Sequence, residues 1–129
     1  MLEPILRLVD SITELGTADT GCIAVSGSHG GISSARYAAA VRPLLSVFND
    51  AGGGKDAAGL AALAFLQAQA LAACTVSHQS ARIGEAPSTL HDGVISQVNR
   101  DAQALGIRVG QRCEHAVAAL SHSQRRSSP

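Results

Sequence analysis

The chain has no tryptophan, one tyrosine and two phenylalanines in 129 residues. That scarcity excludes a platform on which bases could stack, and it limits the bulk available to a core. An excess of charge of one sign is missing as well, since ten basic residues balance ten acidic ones. No basic stripe exists to neutralise phosphates along a duplex, so nucleic acid is not an expected partner. Cys22, Cys74 and Cys113 are odd in number and widely spaced, which fits neither a disulfide framework nor a zinc site. The first residues lack a basic region followed by an apolar run; no secretory signal is evident, and the expected compartment is the cytoplasm. The one long uncharged stretch, 57–74, is rich in alanine and carries Gln67 and Gln69. It reads as a helix followed by a strand rather than a membrane span, so no membrane partner is expected.

What is present is an apolar fraction of 46%, enough for one domain with a real core. Residues 1–120 form that domain, and the polar segment 121–129 reads as a disordered tail. With so few aromatics, packing must rest on alanine and leucine at close helix–sheet approach. A sheet of this size leaves apolar surface uncovered, which favours a homo-oligomer.

Three apolar runs each end in a polar turn, two of them rich in glycine. Ile23–Val25 leads into Ser26-Gly27-Ser28-His29-Gly30-Gly31, Leu44–Phe48 into Asn49-Asp50-Ala51-Gly52-Gly53-Gly54, and Ala73–Val76 into Ser77-His78-Gln79-Ser80-Ala81-Arg82. Helical stretches separate them. Successive βα units of this kind predict a three-layer α/β/α sandwich with a small parallel sheet of at least three strands. They also place all three turns at one edge of the sheet, where open α/β proteins usually bind ligands.

The remaining elements follow from periodicity. Ile5, Leu8, Val9, Ile12 and Leu15 repeat at spacings of three and four, predicting a helix over 4–15 closed by Gly16. Strands are expected at Cys22–Ser26, Leu44–Phe48 and Leu71–Ser77, with Cys22 and Cys74 as buried, inert thiols. Crossover helices are expected at Ile32–Val41 and from Asp56, a candidate N-cap, to about Gln69. Beyond Pro87 the pattern turns helical, breaks at Gly93, and resumes with a stripe of Val94, Ile95, Val98, Ala102 and Leu105 closed by Gly106. A last helix covers about Cys113–Leu120.

Chemistry concentrates in the turns. Ser26-Gly27-Ser28-His29-Gly30 fits a small-x-nucleophile-x-small pattern and locally resembles the α/β-hydrolase nucleophile elbow. On that reading Ser28 is a nucleophile, the His29 amide an oxyanion donor, and Ser28, Asp50 and His78 follow the triad's chain order. A second reading makes the same turn an anion site, with amides around Gly30 and Gly31 at the following helix start and donors from Ser28 and His29. A third makes the glycines simple turn formers and Ser28 a helix cap.

In the second turn, Gly52-Gly53-Gly54-Lys55 falls short of a nucleotide-binding P-loop, because Asn49 replaces its first glycine and Asp56 its hydroxyl. Asp50 is a candidate general base, or a group that orients His29 or His78, and Asn49 a ligand for a carbonyl. An Asx turn is the plain alternative. In the third turn Ser80 and Arg82 are candidate ligand-binding residues, Arg82 offering a planar fork to a carboxylate or phosphate or a staple to Asp50. His78 reads more plainly as a polar cap on the sheet edge. His91, His115 and His122 show no metal-ligand pairing and read as structural or surface residues. Ser96 and Asn99 share one face of the helix expected there. No pattern names a cofactor.

Taken together, the blocks SGSHGG (26–31), NDAG (49–52), KDAAG (55–59), SARIG (80–84) and GVISQVN (93–99) resemble a small bacterial α/β family over roughly residues 20 to 115. The resemblance implies a compact Rossmann-like domain and supplies no reaction. Glu85 departs from it, since Asp is expected after SARIG. The leading expectation is a protein that binds, and turns over if it is an enzyme, a small anionic or carbonyl-containing metabolite. Gly30, Gly31 and Arg82 would hold the anion, and Ser28 or His29 with Asp50 would carry proton transfer or nucleophilic attack. The alternatives are a serine hydrolase using Ser28 and a non-catalytic sensing or structural subunit.

Overall fold

The computed structural model describes residues 4–53 and 61–126. Its centre is a five-stranded sheet of β1 (Leu6–Val9), β2 (Ile23–His29), β3 (Leu45–Asn49), β4 (Ala72–Val76) and β5 (Ile95–Val98), in spatial order 1-2-3-4-5. The first four strands are parallel and β5 joins β4 antiparallel. Helices α1 (Ile32–Val41), α2 (Ala61–Ala68), α3 (Ala86–Asp92), α4 (Arg100–Ala104) and α5 (Cys113–Arg126) complete a three-layer α/β/α sandwich of Rossmann-like type. Among the described residues, no helix is long and apolar enough to cross a membrane.

Strand alternation builds both halves of the core. Ile23, Val25, Leu45, Val47, Cys74 and Val76 face one side, against Leu90 of α3, Ala102 of α4 and the Cys113, Ala116, Val117 and Leu120 stripe of α5. Ala24, Phe48 and Ala73 face the other, against Ala35 and Ala38 of α1 and Ala62 and Leu66 of α2. Small residues on both partners let helix and sheet approach closely, as the shortage of aromatics requires. Sequential strand order with right-handed crossovers stacks the connecting helices on a single face, so the elements after β4 must cover the other. The free thiols of Cys22, Cys74 and Cys113 are buried. Burial pushes Cys22 up to about 11, Cys113 up to about 12 and Cys74 well above the ordinary thiol value, so all three stay protonated and inert.

Helix α1 spans the residues expected of it, ending at Arg42 in the left-handed conformation (φ 59°) ahead of Pro43. The candidate cap Asp56, with Gly54 and Lys55, lies outside the described residues. Three expectations are corrected. Residues 4–15 are not a helix. They form β1 and then a 3-10 turn, Ile12–Glu14, capped by Ser11, whose main-chain N–H donates to Glu14 while its hydroxyl accepts from Thr13 N–H. Val9, Ile12 and Leu15 do reach the core, but Ile5 and Leu8 lie exposed on the sheet's rim, so the helical spacing mixed two environments.

The stripe over 94–105 is likewise no helix. Ile95–Val98 pairs with β4, and Asn99 ends the strand and starts α4, its Oδ1 accepting Ala73 N–H and Ala102 N–H while Nδ2 donates to Leu63 and Leu71 carbonyls. That buried junction, which sequence periodicity cannot register, converts one apparent helix into a strand and a short helix. The closing helix runs past Leu120 to Arg126, so residues 121–126 continue α5 instead of forming a tail.

Candidate functional site at the strand ends

The register aligns His29 with Asn49 and Asn49 with Val76, so β2, β3 and β4 do end side by side. Their following segments, Gly30–Gly31, Asp50–Gly52 and Ser77–His78, share the C-terminal edge of the parallel strands. Hydrogen bonds decide which of the side chains there remain available.

The first turn is a strand for longer than expected. β2 continues through Gly27, Ser28 and His29, with a register shift between Val25 and His29. Ser28 is therefore in extended strand, not on the sharp strand-to-helix turn that a nucleophile elbow requires. Its Oγ accepts the Ile12 N–H at 2.9 Å, tying β2 to the turn after β1. Nor does it cap α1: the cap position is Gly31, with no side-chain bond to the helix start. Gly27 is needed for close approach. Its carbonyl accepts Gly84 N–H at 2.7 Å, and a Cβ there would stand 2.5 Å from Glu85 N and 2.7 Å from the Asp10 carbonyl. Gly30 is not an anion donor either, because its N–H bonds the Asn49 carbonyl at 3.0 Å. His29 is exposed, and its ring folds over Gly31, where an added Cβ would lie 2.6 Å from the imidazole.

The second turn carries two consecutive Asx bonds. Asn49 Oδ1 accepts Ala51 N–H and Asp50 Oδ1 accepts Gly52 N–H, each at 2.8 Å. They hold Ala51 (φ 52°) and Gly52 (φ 77°) in the left-handed region, a strain of about 1–2 kcal/mol at the alanine. Asn49 is fully buried and its Nδ2 donates to the Ala81 carbonyl at 3.0 Å, which makes it a strut between turns and not a ligand for substrate. Ser80 is engaged likewise. Its Oγ donates to the Ser77 carbonyl and accepts Val94 N–H.

Asp50 is different because it also meets His78. Its Oδ1 accepts the His78 main-chain N–H at 3.0 Å and lies 3.3 Å from His78 Nδ1. Burial of the carboxyl raises its pKa, but hydrogen bonds from Gly52, from the Ser96 hydroxyl and from His78 outweigh that and hold it below the ordinary carboxylate value. An ionised carboxylate only accepts, so Nδ1 is the His78 nitrogen that carries a proton, and in the neutral ring Nε2 keeps its lone pair. Half of the His78 side chain is exposed, against 13% for Asp50. The Ser96 hydroxyl is 2.8 Å from that of Thr75, extending the network across β4 and β5. His78 thus does more than cap the sheet, and Ser96 reaches the site from a strand rather than a helix. The alternation of Ile95, Ser96, Gln97 and Val98 was the signal that could have placed it.

Arg82 forms no ion pair with Asp50; among the described residues Asp50 pairs with His78. The Arg82 side chain lines a shallow depression of about 290 Å³ with Glu85, Pro87, Ser88, His91 and Asp92. No group of three or more His, Cys, Asp or Glu among the described residues is arranged to hold a metal ion. Compared with protein-family models, with curated proteins and with solved structures, the chain shows no match.

Proposed function

We propose that the protein binds a small anionic or carbonyl-containing metabolite at the C-terminal edge of β2, β3 and β4, and that His78, oriented by Asp50, exchanges a proton with it. The observation that carries this reading is the pair itself. A carboxylate held ionised by hydrogen bonds from Gly52 and from the main chain and ring of His78 fixes one nitrogen of a half-exposed imidazole, and in the neutral ring the other nitrogen is then a proton acceptor with a set tautomer. At the same sheet edge, α1 starts without a side-chain cap at Gly31, and His29 adds a second imidazole. Amides of an uncapped helix start and ring N–H donors suit a carboxylate or phosphate. Ser28, Gly30, Asn49 and Ser80 are engaged in holding the fold, so this reading assigns them no contact with ligand.

The test is the thermal midpoint of the wild type and of His78→Ala across phosphates, nucleotides, carboxylates and amides. A ligand at a hundredfold its Kd adds about 2.7 kcal/mol of stability. The reading expects a shift for one chemical class that weakens in His78→Ala, a fold-neutral change at a half-exposed ring. No shift across the panel would sink it and leave a non-catalytic subunit as the better account.

A further inference from the structure

The sheet has two lateral edges, and among the described residues only that of β5 carries a covering segment. Along β5, Ile95 N–H donates to the Gln111 carbonyl and Gly110 N–H to the Ile95 carbonyl, both at 2.8 Å, and Val94 bridges Arg112. The loop before α5 seals that side. β1 carries nothing comparable among the described residues. Ile23 N–H donates to the Ile5 carbonyl, and the register pairs Leu6 with Ile23 and Leu8 with Val25. In a parallel ladder of this register Ile5, Arg7 and Val9 turn their main-chain groups to β2, while Leu6 and Leu8 turn theirs outward. The same rim exposes Ile5 (69%), Leu6 (39%) and Leu8 (42%). An apolar edge with free N–H and C=O groups is a template for another strand, and proteins normally block it.

We propose that β1 is the seam of a homodimer, pairing antiparallel with β1 of a second copy about a twofold axis at Arg7 to give a continuous ten-stranded sheet. The strand is self-complementary in that arrangement. Leu6 and Leu8 flank Arg7 symmetrically, so the twofold sets Leu6 opposite Leu8 of the second copy and each outward N–H opposite an outward C=O. Four main-chain hydrogen bonds form, and four leucines meet on one face. On the other face, each Arg7 is already paired with Asp19 of its own chain, so the axis brings together neutralised ion pairs rather than two bare cations. Pro4 has no N–H to donate, which ends the pairing at the strand's own limits. Next to this rim, a cavity of about 210 Å³ lined by Pro4, Ile5, Ala18, Asp19, Thr20, Gly21 and Cys22 extends the largely apolar surface that a second copy would cover. A foreign strand would satisfy the hydrogen bonds but would lack this symmetric match of leucines and charge.

Light-scattering mass at the highest attainable concentration tests the proposal on the wild type and on the double variant Leu6→Lys, Leu8→Lys, which alters only exposed rim positions. A two-chain mass is expected for the wild type and half that mass for the variant, with the wild-type circular dichroism retained. The register is tested separately by Arg7→Cys. Across a non-hydrogen-bonded antiparallel pair the Cα atoms are about 4.5 Å apart, within reach of a disulfide, and the three native cysteines are buried. Oxidation should link nearly all of that variant into dimers. A one-chain wild type, a two-chain lysine variant, or an Arg7→Cys variant that stays unlinked would each overturn the proposal. So would a one-chain wild type that captures an added strand-forming peptide, which would make the partner foreign.

Discussion

The end of β2 and the paired turns after β3 and β4 make opposite use of similar residues. The first is the richer in recognisable pattern, with a serine between glycines and a histidine beside it. Its serine is engaged by Ile12 N–H, Gly30 N–H by Asn49, and Gly27 by the segment crossing over it. The second and third turns look plainer, yet they bring Asp50 and His78 together with the imidazole left half-exposed. What separates the two is the tally of hydrogen bonds. A polar side chain tied to main-chain groups, as Ser28 Oγ is to Ile12 N–H and Asn49 to Ala51 and Ala81, holds the fold together. One that keeps a free nitrogen in solvent can act on something else.

Breaking the first turn should have the largest effect. Gly27→Ala puts a methyl against main-chain atoms of Glu85, Gly84 and Asp10 at 2.5–2.7 Å, none of which can rotate away. A loss of about 3 kcal/mol is expected in denaturant unfolding, at the upper end for overpacking. Asn49→Ala comes next. It leaves the Ala81 carbonyl and the Ala51 N–H without partners in a buried strut and releases the left-handed turn, for about 2–3 kcal/mol by the same measurement. Ser28→Ala should cost only about 1 kcal/mol, for the single bond to Ile12 N–H. A serine-directed phosphonate should fail to label Ser28 in the wild type, and stoichiometric labelling would restore the hydrolase reading.

The smallest effect is a change of slope. Because Asp50 is held below the ordinary carboxylate pKa, the unfolded chain takes up its proton first as pH falls. Its contribution is complete above the ordinary carboxylate value and is lost as pH drops through that value towards the folded one. Asp50→Asn should flatten the acid limb of stability against pH and lower the neutral plateau by the same contribution. An unchanged acid limb would mean that the hydrogen bonds to Asp50 do not favour its charge.

How much of this was legible in the chain depended on whether a signal was local. Continuous apolar runs at Ile23–Val25, Leu44–Phe48 and Ala73–Val76 marked strands covered on both faces, and Ile32–Val41 was bounded by Gly31 and Pro43. Edge strands carried no such mark. β1 and β5 are four residues each, and their apolar positions continue into turns and a short helix at spacings that imitate one long helix. Within the site, the position of the turns followed from the βα alternation, but the engagement of Ser28 by Ile12 and of Asn49 by Ala81 joins residues far apart in sequence. Whether His78 would meet Asp50 depended on the neighbouring ends of β3 and β4. Periodicity does not encode that contact, so the sequence offered Asp50 either His29 or His78 to orient and read His78 more plainly as a polar strand end.

The most direct measurement is the ¹⁵N chemical shift of the His78 ring nitrogens at a pH where the imidazole is neutral, in the wild type and in Asp50→Asn. The account predicts that wild-type His78 carries its proton on Nδ1, facing Asp50, with Nε2 unprotonated, and that this preference weakens in the variant. A wild-type ring protonated on Nε2 would contradict it, because the nitrogen meant to take a proton from a ligand would already hold one.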